Sequence, residues 1–307
     1  MRFLFYTDSH LTGQTPRHRI DEYPQTLNIK LHEVYQIARE ESCEFVAFGG
    51  DYFDSHRIFN YNVISEAMDA VGDCPVKTYA VIGEHDLYGH NPTTFSSSTL
   101  AFFAKRCPKM VILNEPVSVS GVNLFPKHEW QPMAEALGYA VDKTQLNILI
   151  CHELISDRPA MFEVVLTSSL KSPYDLIVSG DLHCGFASHK ANGTWFCNPG
   201  SLARKAINEA KRFPQVAIID IEKGSAPKIE LRRLKSGKEG SLVFGESLAE
   251  IAREHGAFEE NTFAEEMLGY EADSANIHEL IQISGKAKGI RKEVLDYLAT
   301  KKEGDKT

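Results

Sequence analysis

The chain has 307 residues, 43% of them hydrophobic and 24% charged, enough for one large domain with an appendage or for two domains. A formal net charge of −9 argues against general electrostatic attraction to nucleic acid. No apolar run reaches the roughly 20 residues needed to span a bilayer. The opening MRFLFYTDSH meets acidic and polar residues too early for the apolar segment of a signal peptide, so a cytoplasmic protein without membrane contact is expected. Cys43, Cys74, Cys107, Cys151, Cys184 and Cys197 are widely spaced and form no C-x-x-C pair. They read as buried small hydrophobes, not as disulfides or a zinc ribbon. Residues 239–307 carry about 15 acids and about 8 bases, so the acidity belongs mostly to this tail and the rest of the chain is near −2.

In chain order, Arg2–Thr7 reads as a buried strand, and Leu27, Leu31, Val34 and Ala38 recur at helical spacing within an amphipathic helix over Pro24–Glu41. Phe45–Phe48 is a short strand running into Gly49-Gly50-Asp51, Tyr61–Val71 is helical in pattern, and Val76–Ile82 is again a strand. This βαβαβ series predicts a parallel sheet with covering helices. Short strands follow at Met110–Leu113, Val117–Val119, Asn123–Phe125, Leu146–Cys151, Leu176–Ser179, Phe186–His189, Thr194–Cys197, Gln215–Ile221 and Lys228–Leu234. The simplest architecture is α/β (α+β): two sheets packed face to face as a β-sandwich, flanked by helices. Lys235–Ser241 has the composition of a linker. Short acidic helical patterns resume at Leu248–His255, Thr262–Leu268, Ile277–Ile283 and Arg291–Ala299. A catalytic domain over 1–238 and a small helical region over 239–307 are expected.

Five motifs stand where strands end: Asp8-Ser9-His10, Gly50-Asp51-Tyr52-Phe53-Asp54, Gly83-Glu84-His85-Asp86, Cys151-His152-Glu153 and Gly180-Asp181-Leu182-His183. Singly, an Asp or His after a strand is more often a turn former or a cap. Jointly, they place carboxylate and imidazole side chains along one sheet edge, a donor mixture suited to two divalent cations of the first transition row.

The order D-x-H, G-D-x-x-D, G-x-H-D, H, G-x-x-H resembles the signature of the calcineurin-like metallophosphoesterases over roughly residues 1–235. Within that superfamily, TDSHLTGQTPRHRIDEYPQT, GGDYFDSH, GEHDLYGHN and NPGSLAR look most like the nuclease subunit of SbcCD-type exonucleases, in its short phage and bacterial form. The resemblance implies two divalent metal ions, and the carboxylate donors at the second site favour Mn²⁺, with Mg²⁺ as the other candidate for both. Asp8, His10 and His183 would hold one ion, Asp51 would bridge both, and His152, Glu84 and Asp181 would hold the other. His85 would protonate the leaving oxygen, oriented by Asp86 or Asp54. The chain departs from the family at two positions: Glu84 stands where the pattern has Asn, and Asp181 where it has His. Both replacements carry oxygen donors that suit Mn²⁺ or Mg²⁺.

The implied activity is phosphodiester hydrolysis, with DNA as substrate in a complex with a coiled-coil ATPase docked through the C-terminal helices, or in a homodimer. A phosphodiesterase or phosphatase on a nucleotide or other small substrate is the alternative, since fold and metals do not fix the substrate. A non-catalytic scaffold with a degenerate second site is the third reading. His56, His90 and His128 lie near the motifs, Tyr88 and Trp195 are candidate stacking surfaces, and Arg204, Lys205, Lys211 and Arg212 form a basic cluster that reads first as a solvated helix face.

Overall fold

Along Arg2–Tyr6 (β1), Phe3 and Phe5 face one way and Leu4 and Tyr6 the other, and all four are buried. Such a strand needs apolar cover on both faces. The computed structural model, which describes residues 1–160 and 162–245, supplies it from a second sheet on one side and from helices on the other.

Tyr23–Glu40 (α1) has Pro24 in its first turn, where the missing N–H is no loss, and buries Leu27, Leu31, Val34 and Ala38. Val46–Phe48 (β2), Tyr61–Gly72 (α2) and Thr78–Ala80 (β3) follow, and the Asn60 side chain caps α2 by accepting from the Asn62 N–H. Thr99–Arg106 (α3), capped by Ser98, leads into Met110–Ile112 (β4). Then come Val117–Val119 (β5), Val122–Lys127 (β6), Met133–Leu137 (α4), Leu146–His152 (β7), Ile155–Ser156 (β8), Val165–Leu166 (β9) and Leu176–Gly180 (β10). Phe186–Ala191 (β11), Thr194–Asn198 (β12), Gln215–Asp220 (β13) and Lys228–Arg233 (β14) complete the series. α3 and α4 are short and were not evident in the sequence pattern.

One sheet has the order β14-β13-β1-β2-β3-β4, with β1 to β4 parallel and β13 and β14 antiparallel. The other has the order β11-β12-β10-β7-β6-β5, parallel from β12 to β6. Phe3, Phe5, Ala47 and Tyr79 meet Leu124, Ile148, Ile150 and Val178 between the sheets. Leu4, Tyr6, Val46 and Phe48 pack outward against Leu27, Val34, Val63 and Phe103 of the helices. The expected two-sheet α/β architecture with flanking helices is the one observed. Among the described residues, no helix is long and apolar enough to cross a membrane. Five of the six cysteines are buried and Cys184 is half-buried.

The stretch expected as a linker is fastened to the domain. The Lys235 and Ser236 N–H groups donate to the Glu33 carboxylate at 2.6 and 2.8 Å, and Val243 and Phe244 are buried, with the Ile20 N–H donating to the Val243 carbonyl. The helical patterns beyond residue 245 lie outside the described residues.

The basic cluster is also corrected. Arg204 is buried and donates to the carbonyls of Ala210, Arg212 and Lys238, while Arg212 donates to those of Ser201 and Ala203. Lys205 pairs with Asp54 at 2.6 Å. These side chains turn inward because the loop after Pro199-Gly200 leaves its carbonyls without strand partners, and guanidinium groups satisfy them. Only Lys211 of the four stands in solvent.

Candidate metal centre

Parallel pairing brings the C-terminal ends of β1, β2 and β3 to one edge of their sheet, and β7 and β10 end at the facing edge of the other. The sheets meet there: the His152 Nδ1–H donates to the Gly49 carbonyl at 2.8 Å. The chain turns sharply as it leaves β1, β2 and β10. Asp8, His10, Asp51 and Asp181 all have positive φ, at 50, 41, 56 and 75°. Backbone bonds hold these turns, Asp8 N–H to the Gly50 carbonyl and His10 N–H to the Asp51 carbonyl, both at 3.1 Å. Left-handed conformations at non-glycine residues cluster where function requires them. Gly50, at φ +102°, has no room for a side chain: a Cβ would lie 2.7 Å from Cγ of His152.

Asp8, His10 and His183 each offer a ligand atom, all within 4.8 Å of one another. The Nε2 atoms of His10 and His183 face each other at 3.1 Å. Their outer nitrogens face carboxylates, His10 Nδ1 toward Asp54 at 3.4 Å and His183 Nδ1 toward Glu209 at 3.3 Å. With carboxylates beside their outer nitrogens, both rings turn Nε2 into one shared space, where a bound cation would take a lone pair from each. Burial presses His10 down to about 3, which favours the neutral, ligating imidazole. Burial opposes charge on Glu209 as well, yet the hydrogen bond and charge of His183, with Arg212, hold its carboxyl well below the usual range.

Asp51 links this set to a second. Its Oδ2 lies 3.8 Å from His10 Nε2 and 3.6 Å from His152 Nε2, while Oδ1 accepts the His85 N–H at 2.9 Å. Asp8, Asp51 and His152 form one set of ligand atoms within 4.8 Å, and Glu129, His152 and Asp181 form another. His152 is fully buried, and its Nε2 has no hydrogen-bond partner. Burial, with Glu84, Asp8 and Glu129 adding, pushes Asp181 up to about 7. Burial would lower His152, but Asp51, Asp181, Asp8 and Glu129 outweigh it and raise the ring to about 10. So many carboxylates around one buried imidazole call for positive charge, and bound cations would displace the protons held there. The donors fit divalent cations.

Residues 1–224 match the calcineurin-like phosphoesterase superfamily domain. The chain belongs to the calcineurin-like phosphoesterase superfamily. No curated protein sequence matches the chain. Among solved structures, a dimetal phosphatase from Danio rerio is 12% identical, with a TM-score of 0.52 over 76% of this chain and 96% of that one. The protein TT1561 of Thermus thermophilus is 10% identical, with a TM-score of 0.46 over 75% of this chain and 98% of that one. The phosphoesterase YfcE from E. coli is 14% identical, with a TM-score of 0.38 over 72% of this chain and 88% of that one. With its adjoining ligand sets, this phosphoesterase is metal-dependent, and the sets suit two divalent cations.

Six of the seven residues named from sequence as cation ligands converge in this calcineurin-like phosphoesterase, and Glu84 stands apart. Its carboxylate lies 3.7 Å from His85 Nε2 and 3.7 Å from His90 Nδ1, and it enters none of the ligand sets formed among the described residues. The proposed orienters of His85 act differently from expectation. Asp86 is buried and accepts the N–H groups of Gly83, Tyr52 and Phe53 at 3.1, 3.4 and 3.4 Å, so it clamps two loops together. Asp54 holds His85 through its main-chain carbonyl, 2.8 Å from Nδ1, while its carboxylate serves His10 and Lys205. His128 is buried, and its Nδ1 accepts the Ile82 N–H. His56 and Tyr88 rings meet at 5.0 Å, with Tyr88 65% exposed.

Sequence reasoning missed Glu129, Glu209 and Lys127. Glu129 follows β6 with no motif around it, and Glu209 belongs to a single turn at Ile207–Lys211. Lys127 is buried and donates to the His152 carbonyl at 2.9 Å while pairing with Glu153 at 2.7 Å.

Proposed function

We propose that this phosphoesterase hydrolyses phosphodiesters in DNA, with Mn²⁺ as preferred cation and Mg²⁺ as substitute, as a nuclease subunit of the SbcCD type. The carrying observation is His85. Its Nδ1 is tied to the Asp54 carbonyl at 2.8 Å, so Nε2 is the working nitrogen, and a third (33%) of its side chain is exposed at the mouth of the centre. An alkoxide is a poor leaving group, so a proton donor in that place aids cleavage of a sugar–phosphate ester. Bound divalent cations would supply Lewis-acid activation and neutralise charge at the phosphoryl group.

His85 Nε2 holds the proton that passes to the leaving oxygen. The Asp54 carbonyl keeps the ring aimed, and Glu209 and Asp54 keep His183 and His10 in their tautomers. The Tyr88 ring, exposed beside His56, offers a face for base stacking. Residues 239–307, acidic and rich in helical pattern, would dock a coiled-coil ATPase or a second copy of the chain.

The test is incubation of linear DNA, bis(p-nitrophenyl) phosphate and p-nitrophenyl phosphate with Mn²⁺, with and without chelator. Chelator-sensitive cleavage of DNA and of the diester is expected. Hydrolysis of the monoester alone would redirect the assignment to a small-substrate phosphatase. A complete lack of metal-dependent hydrolysis would leave only a scaffold.

A further inference from the structure

We propose that Glu129 is a cation ligand of the second site, completing it with His152, Asp181 and the bridging Asp51; this rests on the two-cation reading of the centre. A carboxylate oxygen of Glu129 lies within 4.8 Å of the ligand atoms of both His152 and Asp181. The independent pointer is His152 itself, fully buried with its Nε2 unpartnered and turned into that same space. Glu84, at the position that the family pattern would nominate, is absent from this set and leans toward His85 and His90.

The chain builds the placement of Glu129 from behind. The Glu129 N–H donates to the Ile82 carbonyl at 3.1 Å, and His128 Nδ1 accepts the Ile82 N–H at 3.0 Å, so the segment after β6 is fixed to the end of β3. The buried Lys127 ammonium donates to the carbonyl of Glu129 at 3.3 Å and to that of His152 at 2.9 Å, locking the main chain of both residues to one another. That ammonium spends its charge on Glu153 at 2.7 Å. The Glu129 carboxylate has no ion pair among the described residues, so its charge is directed at the ligand space.

Three carboxylates and one imidazole make an oxygen-rich site that prefers Mn²⁺ or Mg²⁺ to zinc. The change of an Asn to Glu84 and of a His to Asp181 is then only part of the shift in donor type. Glu129, from a segment outside all five motifs, supplies the oxygen that Glu84 does not.

The experiment is Mn²⁺ binding to the full chain, read by the free-ion electron paramagnetic resonance signal and by metal analysis, for wild type, Glu129→Gln and Glu84→Gln. Thermal melting of each protein checks its fold. Wild type should bind two ions. Glu129→Gln should weaken one of them at least about tenfold and leave the other unchanged, as expected when a neutral amide replaces a charged oxygen donor. Glu84→Gln should change neither ion by more than about threefold, a shift below that of losing a ligand. A folded Glu129→Gln that binds two ions with wild-type affinity overturns the proposal, as does a tenfold loss in Glu84→Gln with none in Glu129→Gln. Wild type that binds fewer than two ions overturns the two-cation reading and the proposal with it.

Discussion

Glu209→Gln changes one atom at a residue that touches no ligand space, yet it should weaken the first cation site. In the wild type, Oε2 accepts the N–H groups of Lys205 and Ala206 at 2.6 and 2.9 Å. Oε1 faces His183 Nδ1 at 3.3 Å and Arg212 Nη2 at 3.3 Å. The carboxylate therefore has donors on both oxygens. A glutamine has only one oxygen to offer. If its NH₂ takes the Oε1 place, it confronts the His183 N–H and the Arg212 guanidinium; if it takes the Oε2 place, it confronts two backbone N–H groups. One side of the network is lost in either orientation. A charge-assisted hydrogen bond contributes about 1.5–3 kcal/mol, and every 1.4 kcal/mol is about tenfold in affinity. With a neutral amide in place of the carboxylate, the hold on His183 is weakened in either orientation, and affinity at the first site should fall about 10–100-fold. Calorimetric titration of Mn²⁺ into both proteins, with melting curves to confirm folding, measures this. Wild-type affinity in a folded Glu209→Gln would mean that Glu209 only braces its own loop.

His85→Ala should keep its cations and lower kcat by about 10²–10⁴-fold; because His85 also lies within 4.8 Å of ligand atoms of His10 and Asp51, loss of an ion on metal analysis would make it a ligand instead. Arg204→Ala leaves the carbonyls of Ala210, Arg212 and Lys238 without their donor. Chemical denaturation should show a loss of about 3–5 kcal/mol, and a loss under about 1 kcal/mol would contradict the role of this guanidinium in satisfying those buried carbonyls. Lys127→Met should cost roughly 2–3 kcal/mol, less than a fully buried pair because Glu153 is partly in water, and should also weaken cation binding. Unchanged cation binding in that variant would separate Lys127 from the placement of Glu129 and His152.

The legible parts of this molecule are those whose signal is local. The continuous apolar run Phe3, Leu4, Phe5 and Tyr6 and the helical spacing of Leu27, Leu31 and Val34 announce their elements, and the Asp and His residues at strand ends follow because parallel strands finish at one edge. α3 was hidden, since eight residues give too few turns to reveal a face, although Ser98 was present as its cap. Arg204 and Arg212 read as solvated because nothing in sequence tells that carbonyls from 201, 203, 210 and 238 converge on them. Asp86 and Asp54 follow their motif, but which groups they serve depends on the packing of two loops, Gly83–Asp86 against Tyr52–Asp54. Glu129 and Glu209 are single acids among many on an acidic chain, distinguished only by what the fold brings to them.

Asp51 stands between the two ligand sets, with Oδ2 3.8 Å from His10 Nε2 and 3.6 Å from His152 Nε2, so it carries the claim that one centre binds two cations. The most direct test is Asp51→Asn, followed by Mn²⁺ stoichiometry and hydrolysis of bis(p-nitrophenyl) phosphate beside wild type. Two ions and chelator-sensitive hydrolysis are predicted for the wild type. The folded variant should bind at least one ion more weakly by about tenfold or more, with activity lost. Two tightly held ions and full activity in Asp51→Asn would contradict the dinuclear centre.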